Sequence, residues 1–344
     1  MLPDATDEEF IATAFHRNTM TNDEGGTDNA EFRTAAVLDR VNTTWETLMG
    51  TSFACVQCHS HPYDPFTHEE YYKFLAFFDN SRDDDTYEDY PQLRHFNDSL
   101  NNELKLFTGW LSNQTSVTEV KTITKFLKSW EPSIHSLTAD QMVNSELNDT
   151  KWLLFRDKGT ARFKSVNLQD KNQLIYRYRA GAIKGAFEIR LDKPDGPLLV
   201  TVPVDTSGRW KISSFNFPPA LGVHDIYFRY LNPTIAGTEK GGIQFDWLHF
   251  GSQLPGKQSP EFARQEKRFW SLLSANTPLT PVMMENPADM RRSTYIFERG
   301  NWLVAGKQVT PGVPASFSIF PRTVIFWAFA IIVMVISRTS PISL

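Results

Sequence analysis

The sequence predicts a multidomain α + β protein, a mainly helical N-terminal domain followed by an all-β sandwich of jelly-roll type. Three observations predict it. Apolar residues recur with a helical period up to about Trp130, the period drops to two after Lys151, and turn signals then punctuate the alternating runs.

Thr6-Asp7-Glu8-Glu9 fits a capping box ahead of Phe10, Ile11 and Ala14. Asp28 with Glu31 opens a second helix carrying Phe32, Val37, Val41, Trp45 and Leu48, which Gly50 can stop. Thr67 and Glu70 cap a third, apolar on most sides through Tyr71, Tyr72, Phe74, Leu75, Phe77 and Phe78, so it should sit deep. Val120, Ile123, Phe126, Leu127 and Trp130 form one more stripe, ended by Pro132. Alternation then marks Gln173 to Ala180, Gly185 to Asp192 and Val223 to Tyr230. Pro194-Asp195-Gly196, Ser207-Gly208, Leu221-Gly222 and Gly241-Gly242 supply turns.

The implied boundaries are a helical domain over 1–135, a sandwich over 150–252, the unfinished start of another domain over 278–320, and an apolar tail over 321–344. Residues 278–320 are Pro- and Gly-punctuated and too sparsely periodic for a core of their own. The apolar run Val324 to Ile336 is shorter than the ~20 residues that span a bilayer, so an interfacial anchor or a truncated end is expected.

The net charge of -5 and the absence of a basic, aromatic-interleaved stretch argue against nucleic acid as partner. Both of the 2 Cys lie in Cys55-Val56-Gln57-Cys58-His59, so no disulfide scaffold exists. Cys-x-x-Cys-His suits covalent haem c: the thiols add to two vinyl groups and His59 is placed to ligate the iron. Among His16, Met20, Met49 and His68, His16 is the expected second axial ligand. A reversible Cys55–Cys58 disulfide competes, although the surroundings lack a βαβ pattern. Zinc is the alternative cofactor, with Cys55, Cys58, His59, His61 and Asp64 as donors. The polar stretch from Phe15 to Asp28 is read either as a pocket wall with Arg17 beside haem propionates or as a surface loop turning at Gly25-Gly26. Arg82 to Asp85 reads as a solvated face.

These residues carry a resemblance. HRNTMTNDEGGTDNAEFR from His16, DRVNTTW from Asp39 and CVQCHSHPYDPFTHEEYYKFLAFF from Cys55 resemble the planctomycete cytochrome C domain family. More narrowly, they resemble its second cytochrome-associated domain, formerly a domain of unknown function. Met284, Glu285, Arg292, Thr294, Arg299, Gly300 and Val309 to Pro314 resemble the start of the partner domain that usually follows. The resemblance implies a multidomain periplasmic or extracellular protein, whose signal peptide would lie in a missing N-terminus.

The β segment is similar to family 6 carbohydrate-binding modules at Phe187 to Asp192, Ser207 to Trp210, Gly222 to Asp225 and Phe245 to Phe250. That resemblance implies sugar binding in a loop site by aromatic stacking and an Asn, with Trp210, Asp246 and Trp247 as the candidates here. The sequence departs from it where Ile212-Ser213-Ser214 replaces a second Trp, where Phe163 or Lys164 falls at the stacking Tyr, and where Asp246 replaces Asn. Trp210 and Trp247 also suit a sandwich core.

The expected function is an extracytoplasmic haem-binding protein giving electron transfer or redox support to polysaccharide breakdown, with a redox protein and polysaccharide as partners. The alternative is a non-redox glycan-binding or scaffold protein whose Cys/His cluster is structural or binds zinc. A hydrolase using a metal held by His16, His59 or His61 with Asp64 is a third reading, without a motif that compels it.

Overall fold

Capping chemistry starts the helices where the sequence asks for it. In the computed structural model, which describes residues 5–22, 24, 27–83, 90–182 and 184–317, Thr6 caps α1 (Asp7–Ala12) in a complete capping box with Glu9. Asp28 caps α2 (Asn29–Thr43) through the Ala30 amide. Thr67 and Glu70 repeat the capping box at α3 (His68–Asp79). Between α2 and α3 come one π-helical turn, Thr44–Leu48, and Gly50 at φ +61°, a left-handed conformation that glycine takes without strain. Val37, Val41, Trp45, Phe53, Phe66, Tyr71 and Phe74 close one aromatic core around α3. Trp45 stacks on Phe53 at 4.3 Å, and Phe66 and Phe74 meet it edge-on. The segment ends in β1 (Gln92–Arg94).

The chain continues through α4 (Asp98–Leu111) and α5 (Val117–Ser129). Nine strands follow: β2 (Ile134–His135), β3 (Asp140–Asn148), β4 (Trp152–Asn167), β5 (Gln173–Ala180), β6 (Gly185–Leu191), β7 (Leu198–Val204), β8 (Ser207–Asn216), β9 (Val223–Leu231) and β10 (Ile243–Gly251). Their order is β7-β6-β9-β4-β10-β5-β8, with β2 on β10 and β3 on β4. The pairings are antiparallel. Alternation decides which side chains meet inside. Phe187 of β6 lies 5.4 Å from Tyr176 of β5 and 5.2 Å from Phe245 of β10, strands to which β6 is not hydrogen-bonded. Two layers therefore face each other across a ring-rich interior, the jelly-roll sandwich that the alternation predicts. α6 (Phe262–Leu273) follows β10 and packs on α4, Phe269 lying 5.9 Å from Phe107.

The last described stretch holds β11 (Leu279–Pro281), which pairs with β1, and β12 (Thr294–Phe297), which pairs with β13 (Ala305–Val309). Among the described residues two compact units result: 5–22, 28–83, 90–93 and 279–317 form one, and 24, 27, 94–182 and 184–278 the other.

These units differ from the expected boundaries in two places. The first boundary falls after Leu93, not at 135, because α4, α5 and α6 pack among themselves and on the sandwich. Residues 279–317, expected to open a separate domain, join the first unit. Val309, with Ile296, Phe297 and Val313, covers the α3 core, and Val282 and Met284 pack with Leu93 and Phe10. A segment too sparsely apolar for its own core spends those side chains on another. The apolar tail of 321–344, the Gly25-Gly26 turn and the acidic Asp84 and Asp85 lie outside the described residues. Among the described residues no helix is long and apolar enough to cross a membrane.

Candidate functional site

The outer face of the sandwich is set by the same alternation that builds its core. Tyr176 and Tyr178 of β5 point inward, so Arg177 and Arg179 point out. On β10 a β-bulge falls between Phe245 and Trp247. The extra residue leaves Phe245 inside while Asp246 and Trp247 both meet side chains of the outer face.

α5 covers part of that face. Phe126 stacks on His249 at 4.1 Å and stands 6.3 Å from Trp247, and the Trp130 ring lies 5.9 Å from Trp247. Trp130 is fixed by its Nε1 donating to the Leu273 carbonyl at 3.1 Å. Arg94 donates to the Leu127, Leu272 and Ala275 carbonyls, tying together the C-terminal ends of α5 and α6, where carbonyls attract a cation.

Beyond α5 the face stays partly open. Trp210 of β8 and Trp152 of β4 are both half-buried, their rings 5.7 Å apart. The Arg177 and Arg179 guanidinium carbons each lie 5.4 Å from the Trp210 ring centroid, within cation–π range. Arg177 reaches Trp130 as well, at 5.7 Å, and is ion-paired with Asp246 at 2.5 Å.

The three sugar-binding candidates therefore fare differently. Trp210 keeps partial exposure. Trp247 is fully buried beneath Phe126 and Trp130 and has no ring face for a ligand. Asp246 is buried with its carboxylate on Arg177, so it does not stand in for a sugar-binding Asn. Arg177, Arg179, Trp152 and Gln244 are the residues that sequence reasoning missed. The signal was the alternation Tyr176-Arg177-Tyr178-Arg179; the register that sets it beside Trp210 was not visible.

The Cys-His motif lies in the first unit, on a short 3-10 turn, Ala54–Gln57. Val56 anchors it, fully buried in the aromatic core. The N-terminal end of α3 holds the rest: His68 Nδ1 is 3.0 Å from the Val56 carbonyl, and the Tyr72 hydroxyl donates to the Gln57 carbonyl at 2.9 Å. Burial first, and then Cys58, raises the Tyr72 pKa, so the phenol stays protonated to donate. Cys55 and Cys58 are free thiols, Cys58 exposed. His59 Nδ1 lies 2.8 Å from the Ser60 carbonyl, which leaves Nε2 open. Two thiols on one turn and an imidazole oriented through its other nitrogen fit covalent haem and one axial ligand. Gly300 crowds this turn: a Cβ there would stand 2.9 Å from Cys58 Sγ.

His16 does not fit as the second axial ligand. It is buried against Phe78, at the far end of α3 from the motif. The helical rise puts His68 and residue 78 about 15 Å apart, whereas two axial ligands must flank one iron. Burial first, and then Arg40, lowers the His16 pKa to about 4. Zinc finds no donor set either: among the described residues no three His, Cys, Asp or Glu side chains gather to hold a metal ion. His61 and Asp64 do meet, at 3.3 Å, but His61 Nδ1 lies 2.7 Å from the Asp64 amide, shaping the turn that Tyr63 tops at 93% exposure. Arg17, expected beside propionates, donates to the Tyr90, Pro91 and Val282 carbonyls.

Two family models match the chain. Residues 1–83 match PSCyt2, a protein of unknown function (DUF1549), and residues 126–252 match the carbohydrate binding module, family 6. Each covers less than half of the chain. Among curated proteins none matches.

Solved structures similar to the sandwich include a β-1,3-glucan-binding family 6 module from Bacillus halodurans. It is 21% identical, covers 35% of this chain and 95% of its own, and has a TM-score of 0.31. A family 6 module from Clostridium stercorarium, solved with cellobiose, is 18% identical over 35% of this chain and 93% of its own, at a TM-score of 0.30. A family 35 module from Clostridium thermocellum is 16% identical over 35% and 97%, at 0.28. Likenesses this distant say nothing about the ligand of this chain.

Proposed function

We propose that this is a glycan-binding protein working outside the cytoplasm, whose sandwich holds a polysaccharide on its outer face beside α5. The observation that carries the reading is the half-buried Trp152–Trp210 pair on that face, within the stretch matching a carbohydrate-binding family. Aromatic rings with a polar rim suit sugars, which present C–H groups on one side and hydroxyls around the edge. Asn148 and Gln244 lie on the strands that flank the pair and supply amide hydrogen-bonding groups. A glycan array probed with the full chain and with Trp210→Ala tests this. Binding by the wild type that Trp210→Ala abolishes is expected; no binding by the wild type, or equal binding by both, would refute it.

A second reading concerns the Cys-His turn, because two free thiols and an open His59 Nε2 stand together there. Cys55 and Cys58 would hold haem through thioethers and His59 would ligate its iron, the group supplying one-electron chemistry. The chain's own part is to keep both thiols on one turn and to orient His59 through Ser60. A redox partner protein belongs to this reading alone. Production alongside c-type maturation machinery, followed by a denaturing gel stained for haem peroxidase activity, decides it: a colourless band removes haem and leaves glycan binding.

A further inference from the structure

The open face carries an arginine, Arg179, that no carboxylate among the described residues neutralises. Four other arginines of the sandwich are paired: Arg156 with Glu146, Arg162 with Asp140 and Asp225, Arg177 with Asp246, and Arg190 with Glu188. Among the described residues Arg179 has no such partner. Its Nε and Nη2 both donate to the neutral Gln244 Oε1, at 3.1 and 2.5 Å, leaving Nη1 without a hydrogen-bond partner among the described residues. Gln244 and Trp210 together hold the exposed guanidinium in place, Gln244 by these bonds and Trp210 by its ring 5.4 Å away.

This arrangement changes what the Trp210 ring offers. A neutral sugar needs an uncovered aromatic face for its C–H groups, yet two guanidiniums already lie over this ring. What remains toward solvent is a fixed cation with N–H groups to donate, bordered by indole. A guanidinium in that setting matches planar or tetrahedral oxyanions, which accept charge-assisted hydrogen bonds from it. We infer that the face selects acidic polysaccharides, with a carboxylate or sulfate ester held by Arg179 at the border of the Trp210 and Trp152 rings. This rests on the glycan-binding reading and names its ligand class.

Calorimetric titration of the full chain with four polymers tests it: a polyuronate, its carboxyl-reduced neutral form, a sulfated glycan and its desulfated form. The expected result is binding to an acidic member at least tenfold tighter than to its neutral counterpart, weakening as salt is raised. Arg179→Gln should reduce the acidic binding by roughly tenfold or more, the loss of a charged hydrogen-bond donor. Arg209→Gln removes an equal charge from the next face of β8 and should leave binding unchanged. Near-ultraviolet circular dichroism confirms that each variant keeps its tryptophan environment. Whichever acidic polymer binds identifies the oxyanion. Equal affinity for neutral and acidic forms, or an unaltered Arg179→Gln, overturns the acidic selectivity and leaves glycan binding standing. Silence with all four polymers and on the array overturns both.

Discussion

Burial, followed by the nearby Arg40 guanidinium, lowers the His16 pKa to about 4 from the ordinary 6.5. The folded state therefore binds this proton less readily than the unfolded chain does. The stability this group contributes is complete above pH 6.5 and is lost as pH falls from 6.5 through 4, a loss of about 3 kcal/mol. Denaturant titrations of wild type and His16→Gln at pH 7.5 and pH 4.5 should show a gap that narrows at the lower pH; a constant gap would mean that His16 titrates normally. Gly300 is the other constrained residue, with φ +76° and both Cys58 and Gln57 inside the reach of an added Cβ. Gly300→Ala should cost more than about 1 kcal/mol, read as a lowered denaturant midpoint. Residue types were legible in the sequence, but their company was not. His16 looked like an axial ligand because its separation from His59 along α3 is a property of packing, and Trp247 looked available because the sequence does not reveal what covers a strand.

At the scale of elements, local rules worked where one side chain decides. Both capping boxes and the Asp28 cap sit where their spacing puts them, and β5, β6 and β9 occupy the alternating runs. α4 and α6 escaped the reading; α6 has no side-chain cap at Glu261, and the polar Gln265 takes a place in its buried face. β10 is buried on both sides because α5 lies over it, so its period is obscured. That packing makes a prediction: Phe126→Ala removes a ring stacked on His249 and uncovers Trp247, and should cost about 3–5 kcal/mol in a denaturant titration. A cost below 1 kcal/mol would show that α5 covers the strand only loosely. In the first unit, Arg40 is buried and donates to the His16 carbonyl, Ser81 Oγ and the Asp83 carboxylate. Asp83→Ala strands that cation and should cost about 3–5 kcal/mol by the same measurement.

For the whole molecule, the change of period announced a helical part followed by a sandwich. It did not announce that the chain returns to its first unit after α6. That return is carried by scattered residues such as Val282, Val309 and Val313, whose partners lie far away in sequence, where a periodicity window cannot see them. The proposed binding face arises in the same way, from β4, β5, β8 and β10 laid side by side, with α5 closing one part and leaving another open. Hydrogen exchange of the full chain with and without a bound acidic polysaccharide locates the ligand most directly. Binding on the outer face requires slowed exchange in Gln173–Ala180 and Ser207–Asn216, diminished in Trp210→Ala. Protection confined to other segments, with these two strands unchanged, would contradict it.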